Sequence, residues 1–128
     1  MKQIESRGDI EKIVDEFYDK IQKDQLLGPI FNGVIRDRWP EHLDKMYRFW
    51  ETILLNNHVY SGSPFKPHAK LPVEQKHFDR WMELFRETVY RYFEGPKADE
   101  AVERAGKMAT MFMYKIDYFR DNPKDAIL

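Results

Sequence analysis

Apolar residues recur at helical spacing along most of this chain. The first such segment carries six of them at intervals of three and four residues: Ile10, Ile13, Val14, Phe17, Tyr18 and Ile21. This spacing places side chains on one face of an α-helix. Asp9 precedes the segment and is its candidate N-cap, and the pattern ends at about Lys23. Because Tyr18 lies on the apolar face, we expect its hydroxyl group to point inward and to need a partner.

Three later segments repeat this period and are bounded by prolines and asparagines. They run from Trp39-Pro40 to Asn56-Asn57, onward from Pro72, and from Gly95-Pro96 to Asn122-Pro123. Proline is favoured in the first turn of a helix and excluded from its interior. No segment alternates with the period of two that is typical of a strand. We therefore predict an all-α protein with four long helices and short helical pieces around residues 26–36 and 64–71.

Composition narrows the class of protein. The 128 residues are expected to form a single domain, with a polar tail from about residue 121. A net charge of -1 gives no basic excess for binding nucleic acid. The absence of cysteine excludes disulfides, thiol catalysis and covalent c-type haem attachment. No apolar run reaches membrane-spanning length and the N-terminus lacks a signal core, so we predict a cytoplasmic protein that binds neither membrane nor nucleic acid.

Aromatic residues make up 15% of the chain, and six methionines accompany them. Aromatic side chains carry large buried areas, and methionine fills irregular cavities. A small protein with this composition either encloses a large flat ligand or has a bulky core. Composition alone leaves both alternatives open.

One histidine stands on a short, stiff segment between the second and third long helices. Residues 64–72 place three prolines around His68, so the segment can hold at most about one helical turn. Histidine is the commonest metal ligand in proteins and the usual proximal ligand of haem iron. The alternative is a surface or capping histidine in a proline-rich loop.

Three polar-tipped side chains accompany apolar faces on three different helices. They are Tyr18, His42 at the edge of the second apolar stripe, and Trp81 in the third. Each has an ordinary structural alternative: a half-exposed histidine for His42 and a core tryptophan for Trp81. His77 is a second candidate ligand, but its position at a helix start predicts that it faces solvent.

Together these features describe a small haem pocket. A porphyrin needs a flat apolar cleft, a nitrogen ligand and a controlled polar patch, and O–H and N–H donors stabilise a polarised diatomic ligand in a dry pocket. There is no phosphate-binding glycine loop and no His-Glu-x-x-His motif. Glu74-Gln75-Lys76-His77 has the letters of a di-iron motif, but it occurs once and at a helix start.

These residues resemble the group III truncated haemoglobins, found mostly in bacteria, over nearly the whole chain. The resemblance rests on the order and spacing of several short segments: Phe17-Tyr18, Leu27-Gly28-Pro29-Ile30-Phe31, His42, Phe49-Trp50, Tyr60-Ser61-Gly62-Ser63-Pro64, His68-Ala69-Lys70-Leu71-Pro72 and His77-Phe78-Asp79-Arg80-Trp81. No Gly-Gly pair occurs, which disfavours the group I and group II types.

The resemblance implies a globin-like, two-over-two helical sandwich around haem b. It makes His68 the proximal iron ligand and Tyr18, His42 and Trp81 the distal polar residues. The candidate porphyrin contacts are Phe31, Phe49, Trp50, Ile53, Tyr60, Phe65, Met82, Phe85 and Phe112. The candidate partners of the haem propionates are Lys66, Lys70, His77 and Arg80.

Three functions remain open at this point. The first is an oxygen-binding protein, a carrier of dioxygen that also takes nitric oxide or carbon monoxide at a five-coordinate iron. The second is a haem redox enzyme, a nitric oxide dioxygenase or a peroxidase-like enzyme acting on peroxide, which would depend on an external reductase. The third is a haem-free helical module with a structural histidine. His42 is also an alternative iron ligand in the resting state.

Overall fold

Residues 1–122 fold into five α-helices and two short 3₁₀ turns. The computed structural model describes residues 1–122, except for the side chain of Lys66. The α-helices are α1 (Arg7–Lys23), α2 (Gly28–Ile35), α3 (Trp39–Leu55), α4 (Gln75–Tyr92) and α5 (Pro96–Asp121), with 3₁₀ turns at Arg36–Arg38 and Lys66–His68. The predicted four long helices and two short pieces are confirmed. Over residues 1–122, the one strand-like pairing is an isolated bridge between Lys2 and Phe93.

Helix α1 begins earlier than its apolar pattern indicates. Ser6 is the N-cap, and its side chain accepts a hydrogen bond from the Asp9 backbone. The Asp9 carboxylate accepts in return from the Ser6 backbone N–H, which completes a capping box. The prediction of Asp9 as the N-cap is therefore wrong: Asp9 occupies the third helical position, and apolar spacing does not report the cap that precedes it.

The long helices pack as two pairs. Helix α1 contacts α3, and α4 contacts α5; further contacts of α1 with α4 and of α3 with α5 join the pairs. Ala98, Ala101 and Ala105 of α5 are fully buried, and these small side chains allow α4 and α5 to approach closely. This arrangement confirms the predicted all-α, two-over-two globin-like fold.

The turn between α1 and α2 is fixed tightly against α4. The Asp24 carboxylate accepts hydrogen bonds from the Leu26 and Leu27 backbone N–H groups and, at 2.7 Å, from Arg80 Nε. Gly28 follows, where a Cβ atom would lie 2.7 Å from the Gln22 carbonyl oxygen, so a larger residue would displace the backbone. The turn thereby places α2 beside the main cavity.

The described part of the chain ends just after helix α5. The helix runs to Asp121 and is capped by Asn122, so the rest of the predicted polar tail, from residue 123, lies outside the described residues. Among the helices of residues 1–122, none combines the length and the apolar character needed to cross a membrane.

Candidate functional site

A cavity of about 370 Å³ lies among α1 to α5 and the loop between α3 and α4. Its size lies within the range of small-molecule and cofactor sites. The lining is mainly apolar and aromatic, with a few polar groups. Besides residues predicted from the sequence, its apolar lining includes Leu27, Ile30, Val34, Ile35, Met46, Leu71, Val73, Phe78, Met108 and Ala109.

The His68 imidazole lines this cavity and one of its nitrogens is fixed. The residue ends the Lys66–His68 3₁₀ turn, and its Nδ1 lies 2.7 Å from the Pro64 carbonyl oxygen. A carbonyl only accepts, so Nδ1 carries the proton and Nε2 has a free lone pair. Within residues 1–122, Nε2 has no hydrogen-bond partner. A histidine held in this way can bind a metal through Nε2.

Burial favours the neutral form of that imidazole. Desolvation lowers the pKa of His68, the bond to the Pro64 carbonyl opposes the shift, and the nearby Lys45 ammonium adds to it. The neutral ring is the form that ligates metals. The ring of Phe112 packs beside it, with the centroids 4.7 Å apart.

Tyr18 brings a hydroxyl group from α1 to the same cavity. The side chain is 5% exposed, and burial raises the pKa of its phenol, so the hydroxyl keeps its proton. Its ring meets the His42 ring edge-on, with the centroids 5.1 Å apart. The hydroxyl has no hydrogen-bond partner among the described residues and is available as a donor to a ligand.

His42, from α3, has a buried nitrogen without a partner. Its Nε2 atom is shielded from solvent and makes no hydrogen bond to the described residues, although buried polar atoms are normally paired. Burial, together with the His68 and Lys45 charges, lowers the pKa of His42 to about 4. Trp39 packs edge-on against the ring at 5.6 Å. The site therefore holds a neutral imidazole with unused hydrogen-bonding capacity.

Trp81 brings an indole from α4 to the cavity wall. Its ring stacks on Phe85 with an interplanar angle of 1° and meets Phe17 edge-on at 5.2 Å. Phe85 in turn stacks on Trp50. The indole N–H has no acceptor among residues 1–122. Packing thus fixes the ring and leaves its donor for a ligand.

The structure separates the predicted porphyrin contacts into two sets. Five of the nine line the cavity: Phe31, Phe49, Trp50, Tyr60 and Phe112. The other four do not: Ile53, Phe65, Met82 and Phe85.

Each residue of the second set has another place. Phe85 is 1% exposed and lies behind Trp81 and Trp50. Phe65 belongs to a separate small core with Phe112, and Ile53 packs on the outside of the main core. Met82 faces a shallow groove between α4 and α5. All four lie on apolar faces, but helical spacing does not distinguish the wall of a cavity from the layer that supports it.

Two cations at the cavity are residues that the sequence analysis did not single out. Arg38 and Lys45 line it together with Glu41, and all three side chains are exposed. The signal was present in the sequence, because residues 38, 42 and 45 follow the i, i+4, i+7 spacing of one helical face. Exposed cations on such a face fit the anionic edge of a ligand.

The four cations considered earlier for this role are placed differently. Arg80 does not line the cavity and pairs with Asp24 at 2.7 Å and with Glu83. Lys70 is exposed and outside the lining, and the side chain of Lys66 is outside the described atoms. His77 does line the cavity.

The prediction that His77 faces solvent is wrong. The residue is 9% exposed, because its ring turns back along α4. There Nδ1 accepts a hydrogen bond of 2.8 Å from the Glu74 backbone N–H. His77 therefore caps the helix and closes one part of the cavity wall.

Comparison with known proteins shows the family to which this fold belongs. The model of the bacterial-like globin family matches residues 2–114. The group 3 truncated hemoglobin ctb of Campylobacter jejuni is 36% identical over 107 residues, which cover 80% of this chain and 84% of that relative. The crystal structure of group III truncated hemoglobin from Campylobacter jejuni matches with a TM-score of 0.83 and 34% identity, over 91% of this chain and 95% of that one.

More distant relatives match a shorter part of the chain. Group 1 truncated hemoglobins GlbN of a Nostoc species and of Nostoc commune are 39% and 38% identical over 71 residues, 55% of this chain and 58% of each relative. The similarity to the group III protein thus spans more of the fold.

Proposed function

Because the chain belongs to the bacterial-like globins and, among them, to the group III truncated haemoglobins, we propose that it holds haem b in the cavity described above, with His68 as the iron ligand. Globins of this family bind haem and small diatomic ligands such as dioxygen. We propose three features beyond family membership: the haem b cofactor, the ligating residue and the distal residues.

The observation that carries the proposal is the state of His68. Its Nδ1–H is used by the Pro64 carbonyl at 2.7 Å, which fixes both the tautomer and the ring orientation. Its Nε2 is left without a protein partner on the wall of an apolar cavity. An imidazole with one nitrogen bonded to a carbonyl and the other free is the usual form of a metal-ligating histidine, so this residue fits haem iron.

The polar groups from α1, α3 and α4 fit the other requirement of a globin site. When bound, haem supplies an iron atom with a coordination position for a diatomic ligand. Tyr18 offers a proton-bearing O–H and Trp81 an N–H, and neither donor is used within the described residues. His42 offers an unpaired nitrogen beside Tyr18. These groups can orient a small polar ligand while the aromatic lining excludes water.

The cavity edge fits the two carboxylates of a porphyrin. Arg38 and Lys45 line it with exposed charged side chains. Charged hydrogen bonds from such residues to carboxylates are roughly twice as strong as neutral ones. We assign the propionates to Arg38 and Lys45 rather than to Arg80, whose guanidinium is occupied by Asp24.

An absorption spectrum tests the proposal directly. The purified protein is measured in ferric form, after reduction with dithionite, and after addition of carbon monoxide. A Soret band that shifts with carbon monoxide is the expected result and establishes haem with an accessible iron. The spectrum of the reduced protein also shows whether His42 occupies the sixth position. No Soret band after reconstitution with hemin would contradict the proposal.

A second candidate function is a haem redox enzyme, a nitric oxide dioxygenase or a peroxidase-like enzyme. Its supporting observation is the set of distal groups, Tyr18, His42 and Trp81, without partners in the described chain. Several donors slow the release of dioxygen, which suits an enzyme supplied by an external reductase better than a carrier. Dioxygen release slower than nitric oxide turnover would favour the enzyme.

For a chain without cysteine, we propose the reducing cytoplasm as its location.

A further inference from the structure

The longest connection in the fold also carries the candidate iron ligand. Residues 56–74 join α3 to α4, and their one regular element is the Lys66–His68 turn. Tyr60 and His68, both within this loop, line the cavity. A loop has few backbone hydrogen bonds of its own, so side chains from the helices must hold it in place.

The hydroxyl group of Thr52, in the last turn of α3, makes most of the contacts at the start of this loop. Its Oγ1 accepts hydrogen bonds from the backbone N–H groups of Val59 and Tyr60, at 3.2 and 3.1 Å. The single hydroxyl proton is shared between the Arg48 carbonyl, at 2.8 Å, and the Asn57 carbonyl, at 3.0 Å. The Val59 N–H also donates to the Asn57 carbonyl at 2.7 Å. Among the described residues, the Tyr60 N–H therefore depends on the Thr52 hydroxyl, whereas the Val59 N–H has a second acceptor.

Neighbouring polar contacts connect the same segment to α1. Asn57 donates from Nδ2 to the Glu51 carboxylate at 3.0 Å, and Arg7 donates to the other oxygen of that carboxylate at 2.8 Å. Glu51 is 9% exposed, and buried charges of this kind are stable only when paired. The loop start is thus held by α3 directly and by α1 through Glu51.

The fixed backbone leads directly to the cavity wall. Tyr60, which carries the second of the two bonded amides, lines the cavity and packs edge-on against Phe49 with the centroids 5.3 Å apart. Four residues later the Pro64 carbonyl receives the His68 Nδ1–H. A shift of residues 59 and 60 would therefore change the wall beside the haem and the start of the segment that orients His68.

We infer that Thr52 is a positioning residue of the haem site, whose hydroxyl group holds Tyr60 and the loop that leads to His68. This inference rests on the proposed function. Thr52 does not itself line the cavity, so its effect on haem passes through the loop backbone. Arg7, Glu51 and Asn57 support the same segment without contacting Oγ1 through their side chains.

The test compares Thr52→Val, which keeps the side-chain shape but removes the hydroxyl group, with Thr52→Ser, which keeps the hydroxyl. Thr88→Val is the matched control. Thr88 is fully buried, and its one hydroxyl bond in the described part of the chain goes to the Leu84 carbonyl of its own helix. Two quantities are measured on the haem-loaded proteins: amide hydrogen exchange at Val59 and Tyr60, and the rate of haem transfer to an excess of an acceptor apoglobin.

In Thr52→Val, we expect the Tyr60 amide to exchange several-fold faster and haem to leave several-fold faster, with a smaller change at Val59, whose N–H keeps the Asn57 carbonyl. Thr52→Ser should be close to wild type in both measurements. Thr88→Val should lower the thermal stability but leave both readouts near wild type. Unchanged exchange at Tyr60 in Thr52→Val would overturn the inference. Equal haem loss from Thr52→Val and Thr88→Val would also overturn it, because the effect would then be one of global stability.

Failure of the proposed function is distinguishable from failure of this inference. A wild-type chain that takes up no hemin contradicts haem binding itself. The amide exchange of Thr52→Val and Thr52→Ser is measurable in that case too. It decides whether the Thr52 hydroxyl holds the loop, independently of the cofactor.

Discussion

The two parts of the candidate site, the proposed distal residues and the proposed proximal histidine, are held by different means. Tyr18, His42 and Trp81 come from three helices and are fixed by ring-to-ring packing, with their polar atoms unpaired in the described chain. His68 comes from a loop and is fixed by a hydrogen bond to the Pro64 carbonyl. Apolar packing positions a polar group without using its donor, whereas a hydrogen bond uses one nitrogen to orient the other.

Because the two parts are held differently, we expect mutations in the distal set and mutations at His68 or its loop to have different effects. A change at a distal residue removes a donor but leaves the packed helices in place, so it should alter ligand release more than haem retention. A change at the proximal histidine or its loop should alter haem retention first. The predictions below test this division, in order of decreasing effect.

The largest effect is expected from His68→Ala. Of the two histidines in the loop of residues 56–74, His68 is the one that lines the cavity. Its removal takes away the nitrogen ligand, so stable haem retention should be lost or the five-coordinate ferrous spectrum abolished. Hemin titration followed at the Soret band measures it. His58→Ala is the control, because His58 is exposed and outside the cavity lining. A wild-type haem spectrum in His68→Ala would show that another residue holds the iron.

The next effect is expected from Tyr18→Phe, which removes a donor and keeps the ring. One hydrogen bond to a polarised ligand is worth about 1–3 kcal/mol, so dioxygen should be released at least several-fold faster. Haem retention should stay near wild type if the comparison between the two sides holds. Tyr90→Phe is the control, since the Tyr90 hydroxyl bonds to Asp99 away from the cavity. Stopped-flow release of dioxygen measures the rate, and an unchanged rate would remove Tyr18 from the distal group.

A smaller effect is expected in the pH dependence of the haem-free protein. The pKa of His42 is about 4 in the folded chain against 6.5 for a free imidazole. The unfolded chain therefore binds the proton first, and the free energy of unfolding should fall as the pH drops from about 6.5 towards about 4. Burial also lowers the pKa of His68, so His42→Leu should reduce this decline without abolishing it.

Urea unfolding at several pH values measures this slope. The part of the window above about pH 5 lies clear of the range in which Asp9 and Asp24, whose pKa values are lowered by hydrogen bonds from their partners, affect the free energy of unfolding. His58→Gln replaces an exposed histidine and should keep the decline. A slope in His42→Leu equal to that of wild type would mean that His42 is not buried as a neutral ring.

The sequence predicts the parts of the site that depend on local pattern. Helical spacing placed Tyr18 and Trp81 on apolar faces, and the prolines around residue 68 marked a short, stiff turn. Spacing could not show that Phe85 supports the cavity wall while Phe49 forms it, because both lie on apolar faces. That distinction depends on how the helices pack against one another.

Contacts between residues far apart in the sequence were the second feature that could not be predicted from it. The sequence offered Arg80 as a partner for a carboxylate ligand, and the fold gives Arg80 to Asp24, 56 residues earlier in the chain. The solvent-facing prediction for His77 failed for a different reason: the ring satisfies the backbone of its own N-cap. A long polar side chain has several reachable partners, and its choice is made by tertiary structure.

The smallest effect is expected at the other end of the proximal loop. Arg120, near the end of α5, donates through Nη2 to the carbonyls of Leu71 and Val73, at 2.8 and 2.6 Å, and both residues line the cavity.

In Arg120→Met these carbonyls lose their donor, and haem should leave faster by a factor of about 2 to 10, the equivalent of one net hydrogen bond. Arg104→Met is the control, since Arg104 pairs only with Glu100 of its own helix. Haem transfer to an acceptor apoglobin measures the rate. Dioxygen release should stay near wild type in both variants. A change in dioxygen release without a change in haem loss would contradict the separation of proximal retention from distal binding, because the Arg120 bonds within residues 1–122 go to the loop that carries His68.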